Sequence, residues 1–167
     1  MPAKVGDALP DVKVDQLVGG LGGEVKQVSV KDLFAGKKGV LFGVPGAYTP
    51  GCTKTHLPGY VSDREKLKEA GAEVVACVSV NDPYVMAAWG EAYGAGDKVE
   101  MLADTRAELT KALGFEAPDG LAKALGGTRS RRFSAVVEDG KFKTLNLEEG
   151  GELQCSLANQ IVEQLKK

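Results

Sequence analysis

Two short apolar runs, each followed at once by a loop and a helix start, restrict this chain more than any other feature. Residues 39–44 and 74–80 read as strands buried on both faces. After the first run comes Thr49-Pro50, and after the second Asp82-Pro83. Each pair joins a capping side chain to a proline at the first helical position, where a missing N–H loses no helical bond. Strand, helix, strand, helix in that order calls for crossover connections and neighbouring parallel strands.

The rest of the chain adds strands and helices around these two. Asp11-Val12-Lys13-Val14-Asp15 and Glu24-Val25-Lys26-Gln27-Val28 alternate polar with apolar, and Gly19-Gly20 and Gly22-Gly23 lie between them. This predicts an N-terminal hairpin. Ser29 can cap a short helix carrying Val30, Leu33 and Phe34, stopped by Gly36. A helix is expected from about Pro50 to Ala70, kinked at Pro58-Gly59 and ended by Gly71. The run 74–80 is the strongest strand signal and is expected to be central. A helix from Pro83 to about Tyr93, a short strand over 99–103 and a helix capped by Asp104 and closed by Gly114 follow. Residues 115–128 read as loop with one helical turn. Residues 133–138 and 141–147 flank Asp139-Gly140, a hairpin signal, and Leu157, Ile161, Val162 and Leu165 mark a last amphipathic helix.

With 167 residues and no repeat, linker or low-complexity tract, a single domain spanning 1–167 is expected. A net charge of −2 argues against a nucleic-acid role, and no apolar run approaches membrane-spanning length. Met1-Pro2-Ala3-Lys4 shows neither a secretory apolar core nor an Arg-rich presequence. A cytoplasmic location is expected, or a mitochondrial one if a presequence has been removed. Cys52, Cys77 and Cys155 are too few and too widely spaced for a disulfide framework, and one histidine, His56, without a paired C-x-x-C argues against a zinc site. Catalytic thiols in a reducing compartment fit this usage best.

The chemistry concentrates in Pro45-Gly46-Ala47-Tyr48-Thr49-Pro50-Gly51-Cys52. Two Pro–Gly pairs in one short loop deliver a single cysteine to the first turn of a helix. There the backbone N–H groups of Gly51 and Cys52 lack helical acceptors and the helix dipole is positive, which favours the thiolate, the nucleophilic form. Thr55 stands where a dithiol oxidoreductase has its second cysteine, so any partner thiol must come from far along the chain. Cys77, mid-strand among Val75, Ala76 and Val78, reads as an inert core thiol. His56, one turn after Cys52, reads either as support for the site or as a satisfied helix residue. Trp89, at helical spacing with Val85, Met86 and Tyr93, reads as core or interface.

The spacing Pro45-x-x-x-Thr49-x-x-Cys52, within the string that runs on through Thr53-Lys54-Thr55-His56-Leu57-Pro58-Gly59, resembles the active-site loop of the peroxiredoxins. The likeness is greatest to the type-five branch, the atypical two-cysteine members. It extends to Lys37-Lys38-Gly39-Val40-Leu41-Phe42-Gly43-Val44, to residues 74–82, to Arg132-Phe133-Ser134 and to Cys155-Ser156-Leu157-Ala158. The order of elements likewise resembles a thioredoxin-like α/β fold, a central mixed sheet flanked by helices, with the N-terminal β-hairpin as an extension.

The resemblance implies that Cys52 is the peroxidatic cysteine and that Thr49 hydrogen-bonds the thiolate and the peroxide. It implies that Pro45 shields the site from water and that Arg132 is the active-site arginine. Arg132 and the amides of Gly51 and Cys52 would take up the negative charge of the departing oxygen. Arg129 and Arg131 are expected to lie on a solvated basic face. Cys155 matches the resolving cysteine, which would attack the Cys52 sulfenic acid and close an intramolecular disulfide. Also implied are hydrogen peroxide, alkyl hydroperoxides and peroxynitrite as substrates, thioredoxin as reductant, no cofactor, and a monomer or non-covalent homodimer. Two alternatives stay open: a one-cysteine peroxidase recycled by glutathione or glutaredoxin, as in plant type-two relatives, and a non-enzymatic redox-sensing module.

Overall fold

A computed structural model describes residues 2–149 and 156–167. The strands are β1 (Lys13–Val18), β2 (Glu24–Ser29), β3 (Lys38–Gly43), β4 (Val74–Ser79), β5 (Glu100–Ala103), β6 (Phe133–Glu138) and β7 (Lys141–Leu147). They form one sheet in the order β2-β1-β5-β4-β3-β6-β7, with β4 at its centre as its apolar run requires. The pairs β3–β4 and β4–β5 are parallel. The pairs β1–β2, β1–β5, β3–β6 and β6–β7 are antiparallel. The early crossovers therefore make the parallel centre and the two hairpins make its antiparallel flanks. This is a thioredoxin-like α/β fold with a mixed sheet.

The helices are α1 (Val30–Leu33), α2 (Leu57–Ser62), α3 (Arg64–Glu69), α4 (Pro83–Ala92), α5 (Glu108–Leu113), α6 (Asp119–Ala124) and α7 (Ala158–Leu165). None among the described residues is long and apolar enough to cross a membrane. The two faces of the sheet carry two cores, divided by the two-residue period of the strands. Val40, Phe42, Val75, Cys77 and Val136 join Cys52, Tyr60, Leu67, Met86, Trp89 and Ile161 on one face. Leu41, Ala76, Val78, Ala135 and Val137 join Val30, Phe34, Leu109 and Leu113 on the other. Trp89 is thus a fully buried core residue, and its Nε1–H donates to the Thr53 hydroxyl at 3.1 Å.

Three local expectations change in detail. The long helix after Thr49 does not simply kink at Pro58. It widens before it, in a π-helical turn over Cys52–His56 in which the Leu57 N–H reaches back five residues to the Cys52 carbonyl. Proline at 58 cannot donate to the carbonyl of Lys54 and its ring crowds that carbonyl, so a wider turn relieves both problems. The helix then breaks again at Asp63 (φ −94°, ψ 12°), which separates α2 from α3. Asp104 does cap α5, but from upstream. Its carboxylate accepts the Leu109 and Thr110 N–H groups, while Ala107, at φ 58°, turns the chain into the helix.

Register positions the functional end of the sheet. Gly43, the last residue of β3, pairs with Phe133, the first of β6. A Cβ on Gly43 would lie 2.1 Å from the Phe133 ring, so only glycine lets that ring cross the strand end. Arg132 therefore falls beside Val44, at the start of the loop that leads to Cys52.

Candidate active site

The loop after β3 turns sharply at Tyr48, a non-glycine residue at φ 64°. That left-handed conformation costs about 1 kcal/mol or more and persists only where neighbours impose it. Its consequence is the placement of Thr49. The Thr49 carbonyl accepts the Thr53 N–H at 2.9 Å, as a helix start requires. The side chain departs from the expected capping role, because its hydroxyl lies 2.7 Å from the Gly46 carbonyl and 2.8 Å from Cys52 Sγ.

Arg132, 80 residues along the chain, brings Nη2 to 3.2 Å from the same sulfur. Both Cys52 and Arg132 are buried, at 0% and 3% exposure, so their interaction takes place away from bulk water. Gly51 is helical (φ −65°, ψ −40°) and lies directly before Cys52. Its amide and that of Cys52 occupy the first turn, where no helical carbonyl is available. Pro45 is buried at the head of the loop. The structure thus brings together Pro45, Thr49, Gly51, Cys52 and Arg132. Cys155 lies outside the described residues.

His56 both supports the site and is satisfied within its helix packing. Arg132 Nη1 is 2.9 Å from His56 Nδ1, and His56 Nε2 is 3.0 Å from the Ser156 carbonyl. A guanidinium only donates and a carbonyl only accepts, so Nδ1 accepts and Nε2 carries the proton. The ring is neutral in this arrangement. It is fully buried beside Phe42, which also stacks on Tyr60 with ring centroids 3.9 Å apart. Burial, and then the Arg132 charge, push the His56 pKa down to about 3.

The Ser156 carbonyl also accepts the Tyr60 hydroxyl at 2.8 Å, while the Ser156 N–H and hydroxyl both donate to Glu148 at 3.2 Å. A chain of contacts therefore runs from Glu148 through Ser156 and His56 to Arg132 and the sulfur. The i, i+4 spacing of Cys52 and His56 on one helical face was the available sequence signal for part of it. Ser156 contributes a backbone carbonyl and Glu148 stands in a Glu-Glu pair, and neither announces itself in sequence.

Arg129 and Arg131 are not the solvated pair expected. Arg131 Nε donates to the Glu148 carbonyl at 2.7 Å, and Arg129 Nη2 donates to the Leu125 carbonyl at 2.9 Å. Cys77 is buried on the same sheet face as Cys52. Burial first, and then the nearby Cys52 charge, raise its thiol pKa well above the ordinary value. That keeps it in the unreactive thiol form.

The depressed His56 pKa makes a stability prediction. Unfolded, this sole histidine takes up a proton near pH 6.5, whereas folded it does so only near pH 3. Below pH 6.5 the unfolded state binds the extra proton, so stability falls as pH falls through the window down to about 3. The expected slope is roughly 1 kcal/mol per pH unit between pH 6 and 5, where most carboxylates stay ionised. Urea midpoints across that range should show it in the native protein and lose it in His56→Gln.

Comparison with known proteins identifies the family and the fold. Residues 4–161 match the Redoxin family. The chain is 47% identical over 163 residues to Peroxiredoxin-2E-2, chloroplastic, of Oryza sativa subsp. japonica, covering 96% of this chain and 72% of that protein. It is 47% identical over 166 residues to Peroxiredoxin-2C of the same organism, covering 98% and 99%. Among solved structures, reduced Prx3 in complex with H2O2 from Vibrio vulnificus superposes with a TM-score of 0.90 at 43% identity, covering 99% of both chains. Peroxiredoxin 5 from Alvinella pompejana gives 0.85 at 38% identity, again covering 99% of both. With a cysteine at a helix start, a matching fold and this degree of identity along nearly its whole length, the chain belongs to the peroxiredoxins and is a thiol-dependent peroxidase.

Proposed function

We propose that the chain works as an atypical two-cysteine peroxidase of the type-five kind, with Cys52 as the attacking thiol. The observation that carries this reading is the pair of donors at one buried sulfur, Thr49 Oγ1 at 2.8 Å and Arg132 Nη2 at 3.2 Å. The Cys52 thiolate attacks one peroxide oxygen, so an S–O bond forms as the O–O bond breaks. The other oxygen leaves with the electron pair, taking a proton from solvent to give water or an alcohol, or departing as nitrite when the substrate is peroxynitrite. Arg132 and the first-turn amides of Gly51 and Cys52 receive its growing charge. Thr49 orients the attacked oxygen and Pro45 keeps water from the sulfur. Substrates are hydrogen peroxide, alkyl hydroperoxides and peroxynitrite.

Cys52 is left as a sulfenic acid. The Cys155 thiol attacks its sulfur, an S–S bond forms and water departs. Thioredoxin then reduces the disulfide by thiol exchange, returning both thiols and carrying away the disulfide. The tether of Ser156, the next residue in the chain, to His56 and Tyr60 supports Cys155 as the thiol that meets Cys52.

A second reading keeps one observation in its favour. The chain's likeness to plant peroxiredoxin-2 proteins, 46–47% identical, supports recycling by glutathione or glutaredoxin without a resolving thiol. Membership of an enzymatic family removes the non-enzymatic sensor from consideration.

Mass spectrometry after one equivalent of hydrogen peroxide in the presence of glutathione separates the two. An intramolecular Cys52–Cys155 bond, with the loss of two hydrogens, is the expected product. A glutathione adduct on Cys52 would favour the second reading. With thioredoxin, thioredoxin reductase and NADPH, Cys155→Ser is expected to reduce one peroxide per chain and then stall. Normal cycling of that variant would end the resolving role.

A further inference from the structure

The turn that carries Pro45 is held from two sides. Arg129 lies across it, with Nη1 at 3.5 Å from the Pro45 carbonyl and Nη2 at 2.9 Å from the Leu125 carbonyl. On the other side the Ala47 N–H donates to Asn81 Oδ1 at 3.0 Å, and the Ser79 hydroxyl donates to the same oxygen at 2.7 Å. Between these ties sits Gly46. A Cβ there would meet Arg129 Nη1 at 3.2 Å and the Thr49 methyl at 3.2 Å. A side chain there would crowd the guanidinium and Thr49 together, and each would have to give by a few tenths of an ångström. The Thr49 Oγ1 also lies 2.7 Å from the Gly46 carbonyl and 2.8 Å from the Cys52 sulfur, so these two acceptors share its one proton. Whatever fixes Gly46 therefore fixes the oxygen beside the sulfur.

We propose that Arg129 is a positioning residue for the peroxidase reaction, holding the Pro45–Gly46 turn so that the Thr49 hydroxyl stays against Cys52. This rests on the reading of Thr49 and Cys52 given above. A guanidinium suits the task because it is always charged and presents several donors in a rigid plane, so one head spans carbonyls on two separate segments. A lysine ammonium has no such fork. The bond to Leu125 is the firm one. At 3.5 Å the bond to Pro45 is weak, so Arg129 steers the turn chiefly by its packing on Gly46. Through it the segment just after α6 becomes part of the site's frame without reaching the sulfur.

The test is a double-mutant cycle on the rate constant for hydrogen peroxide with the reduced protein, measured by competition with a peroxidase of known rate. Thr49→Val is expected to lower it about 100-fold, as loss of a positioned donor does. Arg129→Met should lower it about tenfold, and Arg129→Lys should recover little of that. The double variant should be within about twofold of Thr49→Val alone, because both changes remove the same placed hydroxyl. A general loss of packing would instead multiply the two effects, and that outcome overturns the proposal. So does an Arg129→Met protein as fast as the native one. A Thr49→Val protein of native rate overturns the reading of Thr49 itself, and the clamp with it. Should Arg129→Met fail to fold, Gly46→Ala probes the same contact from its other side. It is expected to slow the reaction about tenfold alone and to add nothing to Thr49→Val; multiplication of those effects overturns the clamp equally.

Discussion

Replacing Cys52 by serine is expected to end peroxide turnover, with a loss on the order of 10⁴-fold or more. An alcohol stays protonated where a thiol ionises, so the variant keeps the shape of the site and loses its nucleophile. The hydrogen-bond partners Thr49 and Arg132 can serve an oxygen as well as a sulfur, so the fold should survive. Peroxide consumption with thioredoxin, thioredoxin reductase and NADPH reads the loss, and a thermal melt shows that folding is intact. Cys77→Ala supplies the contrast. Cys77 packs among core residues with its thiol held protonated, so its removal should leave turnover near the native rate. A Cys52→Ser protein that still consumed peroxide, or a dead Cys77→Ala protein that melts normally, would move the chemistry to the other thiol.

The second large effect is expected at Arg132. Arg132→Met should slow reaction with peroxide by about 10²–10³-fold, the usual consequence of losing one preorganised donor to developing charge. It should also cost about 1–3 kcal/mol of stability, since His56 Nδ1 is left buried without its donor. Arg132→Lys should restore little. One ammonium cannot reproduce a planar head that touches His56 at 2.9 Å and the sulfur at 3.2 Å. The rate constant for hydrogen peroxide and the pH dependence of Cys52 alkylation by iodoacetamide measure the effect. A methionine variant within about threefold of the native rate would leave the guanidinium with no part in charge stabilisation.

How far the sequence could be read follows from where each interaction is made. The strands β3 and β4 and the Asp139-Gly140 hairpin are local: a continuous apolar run marks each of the former, and two consecutive residues at positive φ make the latter. Cys52 and Thr49 are legible for the same reason, lying three residues apart in one loop. Arg132 is not local at all. It faces Cys52 only because Gly43 pairs with Phe133, and the resemblance to a known family supplied what spacing could not. His56 stayed ambiguous because its role depends on Arg132 on one side and the Ser156 carbonyl on the other. Glu148 and Arg129 look like ordinary charged residues, yet backbone groups outside their own elements recruit them: the Ser156 N–H for Glu148, and the Leu125 carbonyl with the far Pro45 carbonyl for Arg129. Proline rules placed a disturbance at Pro58, yet they state only that a bond is missing and not how the chain absorbs the loss.

That absorption has an outcome for the site. In a regular helix each residue advances the side chain by about 100°. The wide turn over Cys52–His56 spends one extra residue there, so the helix on either side is out of phase by about one such step. Cys52 and His56, at the two ends of that turn, both reach the guanidinium, and Leu57 and Tyr60 just beyond it pack in the core. One stretch of helix thus serves the protein's interior and the charged head opposite it at once, with a single surplus residue between the sulfur and the imidazole.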